Sequence, residues 1–205
     1  MKYPNITLGK MEAIINKLGG EEGVEKFLQG ELKISENPTK PILEPISKVT
    51  VPSTTTKFLA KEKFILGTSR NATVKISFLG GNFTEWFLSG EGKTEDPITE
   101  QVLLCHKLLE SSVDGPIITE LGGETKAETT LTELYSLMKK QKNAEAGALL
   151  NNGYANIFYI RDGNGMLRAV GVDWYDGGWD VDAFSIENPR AWDGGLQVFS
   201  RNLAL

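Results

Sequence analysis

The spacing of apolar residues divides the chain into stretches of different periodicity. From Thr7 to Leu18, the residues Leu8, Met11, Ile14, Ile15 and Leu18 recur at three- and four-residue intervals, which predicts a helix with one apolar face. Gly19-Gly20 ends it, because glycine adopts the left-handed conformation of a helix C-terminal cap without steric cost. A second helix follows over 21–29. Its first-turn acids suit the positive end of the helix dipole, and Val24, Phe27 and Leu28 form its stripe. Residues 1–35 therefore read as a helical hairpin. Between Glu36 and Thr56 the periodicity fails: Pro38, Pro41, Pro45 and Pro52, with Ser53-Thr54-Thr55-Thr56, predict an extended linker. Its apolar residues Ile42, Leu43, Ile46 and Val49 suggest that part of it lies in a groove.

The main domain is expected over 57–205. Phe64-Ile65-Leu66 and the alternating Thr73–Phe78 predict two strands, and Phe83, Trp86 and Phe87 hint at a helical turn. Asp96-Pro97 has the chemistry of a helix start, so the run to about Ser111, with Ile98, Val102, Leu104, Cys105, Leu108 and Leu109 apolar, predicts an amphipathic helix. Pro116–Leu121 predicts a short strand. Thr130 and Glu133 form a capping box for a second amphipathic helix ending at Lys139, Lys140 and Lys142. The final third predicts strands over 156–161, 166–174, 179–185 and 196–200, joined through Asp162–Gly165 and Tyr175–Gly178 as a meander. The fold class expected is α+β, an antiparallel sheet packed with two amphipathic helices and preceded by the helical hairpin.

Composition narrows the chemistry. With a net charge of −5 and 40% hydrophobic residues, the chain reads as a soluble globular protein and not as one that coats nucleic acid by bulk charge. A helix-turn-helix role for the hairpin meets the same objection, because Glu12, Glu21, Glu22 and Glu25 would face phosphate. One cysteine allows no intramolecular disulfide, and no apolar run approaches a membrane span, so the expected location is cytoplasmic. Glycosylation acceptor patterns at Asn5, Asn71 and Asn82 carry little meaning without a secretory signal. Cys105 and His106 are adjacent and would diverge on a helix, with Cys105 in the core and His106 at the surface or the boundary. Gly122-Gly123 lacks the Lys-Ser/Thr of a phosphate loop, and Asp162 with Asn164 lacks the later ligands of a calcium loop.

The densest chemistry lies in Trp174–Asp182, with three acids on strands and aromatics beside them. Any even loop between Trp174 and Trp179 keeps both tryptophans on one face with Val170, Val172, Val181 and Ala183, and puts Asp173, Asp180 and Asp182 on the other. If the loop is Tyr175–Gly178 or Asp176-Gly177, Asp173 opposes Asp180; if it is Gly177-Gly178, it opposes Asp182. An even loop in the preceding hairpin would add Asn156, Phe158 and Ile160 to the aspartate face, beside Leu167, Ala169 and Gly171. Opposed like charges destabilise a ladder. Three outcomes relieve this: a divalent cation on Asp173, Asp180 and Asp182, pairing with Arg190 or Arg201, or plain solvation.

The runs Asn16–Glu31, Val74–Phe83 with Trp86-Phe87, Ser112–Ile118, and Ala155–Tyr159 with Val198–Asn202 resemble a set of uncharacterised bacterial proteins over most of the chain. That resemblance implies a small intracellular bacterial protein whose N-terminal piece recurs on other modules, and no activity. The sequence names no reaction. The reading expected is a non-enzymatic interaction or binding protein, with no cofactor beyond that cation, which engages a protein partner or self-associates through the hairpin. The alternative is a hydrolase, with carbohydrate as the candidate substrate class, that uses two of the three aspartates beside Trp174, Tyr175, Trp179 and Trp192.

Overall fold

The computed structural model describes residues 7–31, 40–188 and 190–202. The chain divides into two compact units, Met1–Lys40 and Pro41–Leu205. In the first, helix α1 spans Leu8–Leu18 and α2 spans Glu21–Leu28, each where the apolar spacing places it. Thr7 caps α1 through its hydroxyl, and Gly19, at φ +93°, turns the chain out of it. Gly23 packs so closely against the backbone of Leu18 that no larger residue fits there.

The second unit is mixed α/β, built on an eight-stranded, mostly antiparallel sheet. Its elements are β1 (Leu43–Val51), β2 (Phe58–Leu59), α3 (Ala60–Lys63), β3 (Ile76–Leu79), α4 (Gly81–Phe83) with a π-helical turn over Thr84–Leu88, β4 (Thr94–Glu95), β5 (Gln101–Leu108), α5 (Asp114–Glu120), α6 (Glu124–Ala127), β6 (Glu128–Thr129), α7 (Leu131–Lys140), β7 (Asn156–Arg161), β8 (Leu167–Tyr175), β9 (Gly178–Ser185) and β10 (Gln197–Arg201). The sheet order is β1-β5-β10-β7-β8-β9-β3, with β6 also on β7; β2 and β4 pair separately. Among the described residues, no helix is long and apolar enough to cross a membrane.

Five sequence expectations are corrected here. Of the linker expected over 36–56, residues 32–39 lie outside the described residues, but Leu43–Val51 is the edge strand β1, paired with β5. Its Pro45 is compatible because it sits beside a bulge on an edge, where an amide need not enter the ladder. Residues 96–111 are not a helix, since Gln101–Leu108 is strand β5, between β1 and β10. A strand buried on both faces reads as a continuous apolar run, which periodicity cannot tell from a buried helix. Residues 114–120 are helical where a strand was expected; Pro116 lies in the first turn, where the missing amide has no intrahelical acceptor to lose. Phe64-Ile65-Leu66 is irregular, with Ile65 and Leu66 exposed, and the 73–78 strand contracts to β3.

The last third also departs from a continuous meander. Strands β7, β8 and β9 pair antiparallel in sequence, but β10 crosses back and runs parallel to β7 and antiparallel to β5. In the β7–β8 hairpin the amide of Asp162 donates to the carbonyl of Met166 at 2.8 Å, leaving the odd loop 163–165 with Gly165 at φ +82°. The parity is therefore opposite to the one expected. Ile157 and Tyr159, not Phe158 and Ile160, share a face with Gly171 and Ala169.

Both faces of the sheet are covered. One core gathers Phe83, Phe87, Leu131, Leu134, Phe158, Phe199, Val172, Trp179 and Val181 under α7 and the α4 region; the other gathers Ile117, Ile118, Leu121, Ile157, Tyr159, Ala169 and Val198 under α5 and α6. Cys105 and His106 therefore point to opposite sides of a strand, and no thiol–imidazole pair forms. Burial pushes the Cys105 thiol up to about 12 and holds the His106 imidazole below its ordinary value. His106 is buried rather than at the surface.

Helix α7 is fastened from several directions. Thr130 and Glu133 form the expected capping box, and the Glu95 carboxylate accepts from the Leu131 and Thr132 amides at 3.0 and 2.8 Å. Glu133 is fully buried and faces Arg201 at 3.4 Å. E133A is expected to lower stability by about 3–5 kcal/mol, because it strips the cap and leaves a partly buried guanidinium unpaired. E133Q keeps the capping acceptor and loses less, which urea unfolding midpoints at constant m-value resolve.

Candidate functional site

The β8–β9 turn sets the site. Asp176 and Gly177 both have positive φ, 49° and 81°, as a two-residue turn matched to strand twist requires. With that loop, Asp173 opposes Asp180, Trp174 opposes Trp179, and Gly171 opposes Asp182. This is one of the registers open from the sequence. Trp179 is fully buried in the first core, with Trp174 edge-on to it at 5.3 Å, so neither tryptophan reaches the aspartates. Tyr175 is exposed at the turn.

On the opposite face Asp173, Asp180 and Asp182 line a concavity of about 200 Å³ together with Phe78, Phe184 and Trp192. Gly171 allows Trp192 to approach the sheet closely, since a Cβ there would stand 3.3 Å from the indole ring. Trp192 meets Phe184 edge-on at 5.3 Å, and its Nε1 donates to Asp114 Oδ1 at 2.8 Å. The Tyr159 hydroxyl donates to the same oxygen at 3.0 Å. Asp114 is buried with Oδ2 unpartnered; burial raises its pKa, opposed by the Trp192 and Tyr159 hydrogen bonds. Of the aromatics expected beside the carboxylates, only Trp192 is there. Phe184 was legible, being two residues beyond Asp182 on one strand face; Phe78 was not, because β3 reaches β9 by parallel pairing.

The three carboxylates differ in environment. Asp180 Oδ1 accepts from the Ser77 hydroxyl at 2.7 Å. Asp182 Oδ1 accepts from the Ala183 amide at 2.8 Å and packs on Gly80, where a Cβ would fall 2.0 Å from that oxygen. Among the described residues, Asp173 has no such donor. Burial first, and the Asp180 charge second, push it up to about 6. Arg201, weighed as a partner, is held by Glu133; Arg190 is exposed, and among the described residues none of the three aspartates is in an ion pair. Nor is any group of three or more His, Cys, Asp or Glu side chains among the described residues placed to hold a metal ion.

Comparison of the chain with family models, with curated proteins and with solved structures finds no match.

The raised Asp173 acid has a definite consequence for stability. Between its ordinary value of 3.8 and about 6, the native state keeps a proton that the unfolded chain has released. Stability attributable to this group is therefore full below that window and falls as pH rises through it. D173N is expected to flatten the fall and to be more stable than the parent at pH 7, measured as melting temperature against pH. D180N lowers the Asp173 titration midpoint only partly, read by carboxyl carbon NMR, because burial is the larger cause.

Proposed function

We propose that this chain is a non-enzymatic binding protein of the bacterial cell interior, and that its aspartate pocket receives a single cationic group, the ammonium or guanidinium tip of a partner's side chain. The observation that carries the reading is the pocket lining: three carboxylates and three aromatic rings, with no cationic residue among them. Carboxylates attract the charge, and ring faces add cation–π attraction within about 6 Å of their centroids. A volume near 200 Å³ suits a side-chain tip and falls short of the roughly 300–1,000 Å³ of sites that enclose a whole small molecule.

The hydrolase reading retains one supporting observation. Asp173 is raised toward neutrality while the neighbouring Asp180 is held by Ser77, the division of labour that an acid and a second carboxylate need. Against it stands the size of the pocket, which leaves little room for a sugar ring and an attacking water. A divalent-cation role meets the difficulty that Asp180 and Asp182 already spend an oxygen each on Ser77 and Ala183.

The N-terminal helices supply the docking element in this proposal, acting as a hairpin. No side chain of α1 is buried, and Leu8, Met11, Ile14, Phe27 and Leu28 are large exposed apolar groups. So short a pair of helices gains its stability from what covers such a face.

Four measurements test these readings. Titration with N-acetyl-arginine amide and N-acetyl-lysine amide should shift the Trp192 indole N–H resonance saturably, and D173N and D180N should each weaken the binding about tenfold, the loss of one charge-assisted contact. Cleavage of chromogenic glycosides that D173N abolishes would establish the hydrolase instead, and a melting-temperature rise with calcium, magnesium or manganese would establish the metal. Removal of residues 1–40, which spares β1, should change the assembly state in size-exclusion chromatography; an unchanged elution of the remaining unit removes the self-association role.

A further inference from the structure

A second recess, of about 300 Å³, is lined by the segment 54–58, α3, Thr73 and α7. Its character is opposite to that of the aspartate pocket. Lys57, Lys63 and Lys139 line it with the hydroxyl residues Thr56, Thr73 and Tyr135, and its one carboxylate is Glu62. This is a local excess of positive charge in a chain whose net charge is −5.

The hydrogen bonds of the recess sort its groups into spent and free. Thr54 Oγ1 accepts from the Ile98 amide, Thr132 donates to Glu95, and Ser136 donates to the Thr132 carbonyl. Lys57 has only a long, exposed contact with Asp96 at 3.4 Å, which contributes little. Among the described residues, Lys63 and Lys139 have no ion pair, and the hydroxyls of Thr56, Thr73 and Tyr135 have no hydrogen-bond partner. The free capacity is therefore chiefly donors. Its complement is a compact anion with several acceptor oxygens, of more than one negative charge because three lysines against one carboxylate line the recess.

An adjoining recess of about 350 Å³ shares Glu62, Lys63, Thr73 and Tyr135 and adds Ile65 and Leu66. Those two side chains are 60% and 59% exposed, an apolar pair on an otherwise polar loop with no function in the core. An anion in the first recess that carried an apolar substituent would cover them.

We propose that the joined recesses bind a phosphate monoester, with its phosphate among Lys63, Lys139, Thr56 and Thr73 and its organic group toward Ile65 and Leu66. A phosphate monoester carries about −1.5 to −2 charge at neutral pH and three strong acceptor oxygens. The site shares no lining residue with the aspartate pocket, and it stands or falls independently of the function proposed there.

The test is calorimetric and NMR titration of the full chain with phenyl phosphate and with inorganic phosphate. Phenyl phosphate should bind saturably, shift the amides of Ile65, Leu66, Thr73 and Tyr135, and bind about tenfold more tightly than inorganic phosphate, as burial of a ring edge allows. The K63A/K139A double variant should lose binding by about tenfold or more, and Y135F by severalfold, while K107A and D173N keep it. The altered lysines are exposed, and Y135F preserves the ring contacts with Phe58 and Phe64, so folding is retained and circular dichroism verifies it. Absence of saturable binding at millimolar phenyl phosphate overturns the proposal. So does an equal loss in K107A, which would show diffuse charge, or equal affinity for inorganic phosphate, which would remove the ester. A single-stranded oligonucleotide that binds more tightly and displaces phenyl phosphate would assign the recess to nucleic acid instead.

Discussion

The period-two alternation of the β8–β9 ladder is the constraint on which the rest of the second unit depends. In a sheet covered on one face a one-residue slip exposes apolar side chains; here both faces are covered, so a slip would also drive aspartates into the core around Trp179. Asp176 and Gly177 hold the register through a turn that accepts positive φ at both positions. The same two residues that place Trp179, Val181 and Val172 in the first core therefore place Asp173 opposite Asp180 on the other side.

That opposition is tolerated because the carboxylates are supported unequally. Asp180 accepts a hydrogen bond from Ser77 and Asp182 one from the Ala183 amide, and Asp173, half-buried beside Asp180, holds its proton to higher pH. Around them the walls are fixed by second contacts: Trp192 is anchored through its indole nitrogen to buried Asp114, and Gly80 and Gly171 leave the space that a Cβ would close. An acidic cluster on a flat strand would be solvated and weak. A cluster set between braced aromatic rings keeps its field, because water is partly excluded.

The two recesses divide the charge of the molecule. The aspartate pocket lies on the sheet face that α5 and α6 cover in part, and the lysine-lined recess lies where α3 and α7 cover the other core. Net charge alone argued against anionic ligands. Folding brings Lys139 of α7 beside Lys57 and Lys63, which lie six residues apart, and reverses that argument locally.

Local chemistry by itself determined the N-terminal helices, the capping box at Thr130 and Glu133, and the separation of Trp174 and Trp179 from the three aspartates, and it left the choice among three even-length turns between them to the structure. Each of these depends on residues close in the chain and on a period of 2 or 3.6. The tertiary structure decided the rest. Gln101–Leu108 became a strand because it is inserted between β1 and β10, where Leu103 and Cys105 face one core and Leu108 the other. Asp114–Glu120 became a helix because Ile117, Ile118 and Leu121 cover a sheet assembled from distant segments. Leu43–Val51 could be an edge strand despite Pro45 only because a partner, β5, was present on one side. The pocket followed the same division: the aspartates and Phe184 were fixed by alternation, whereas Phe78, Ser77 and the Asp114 anchor reached them through pairings and packing that local sequence does not encode.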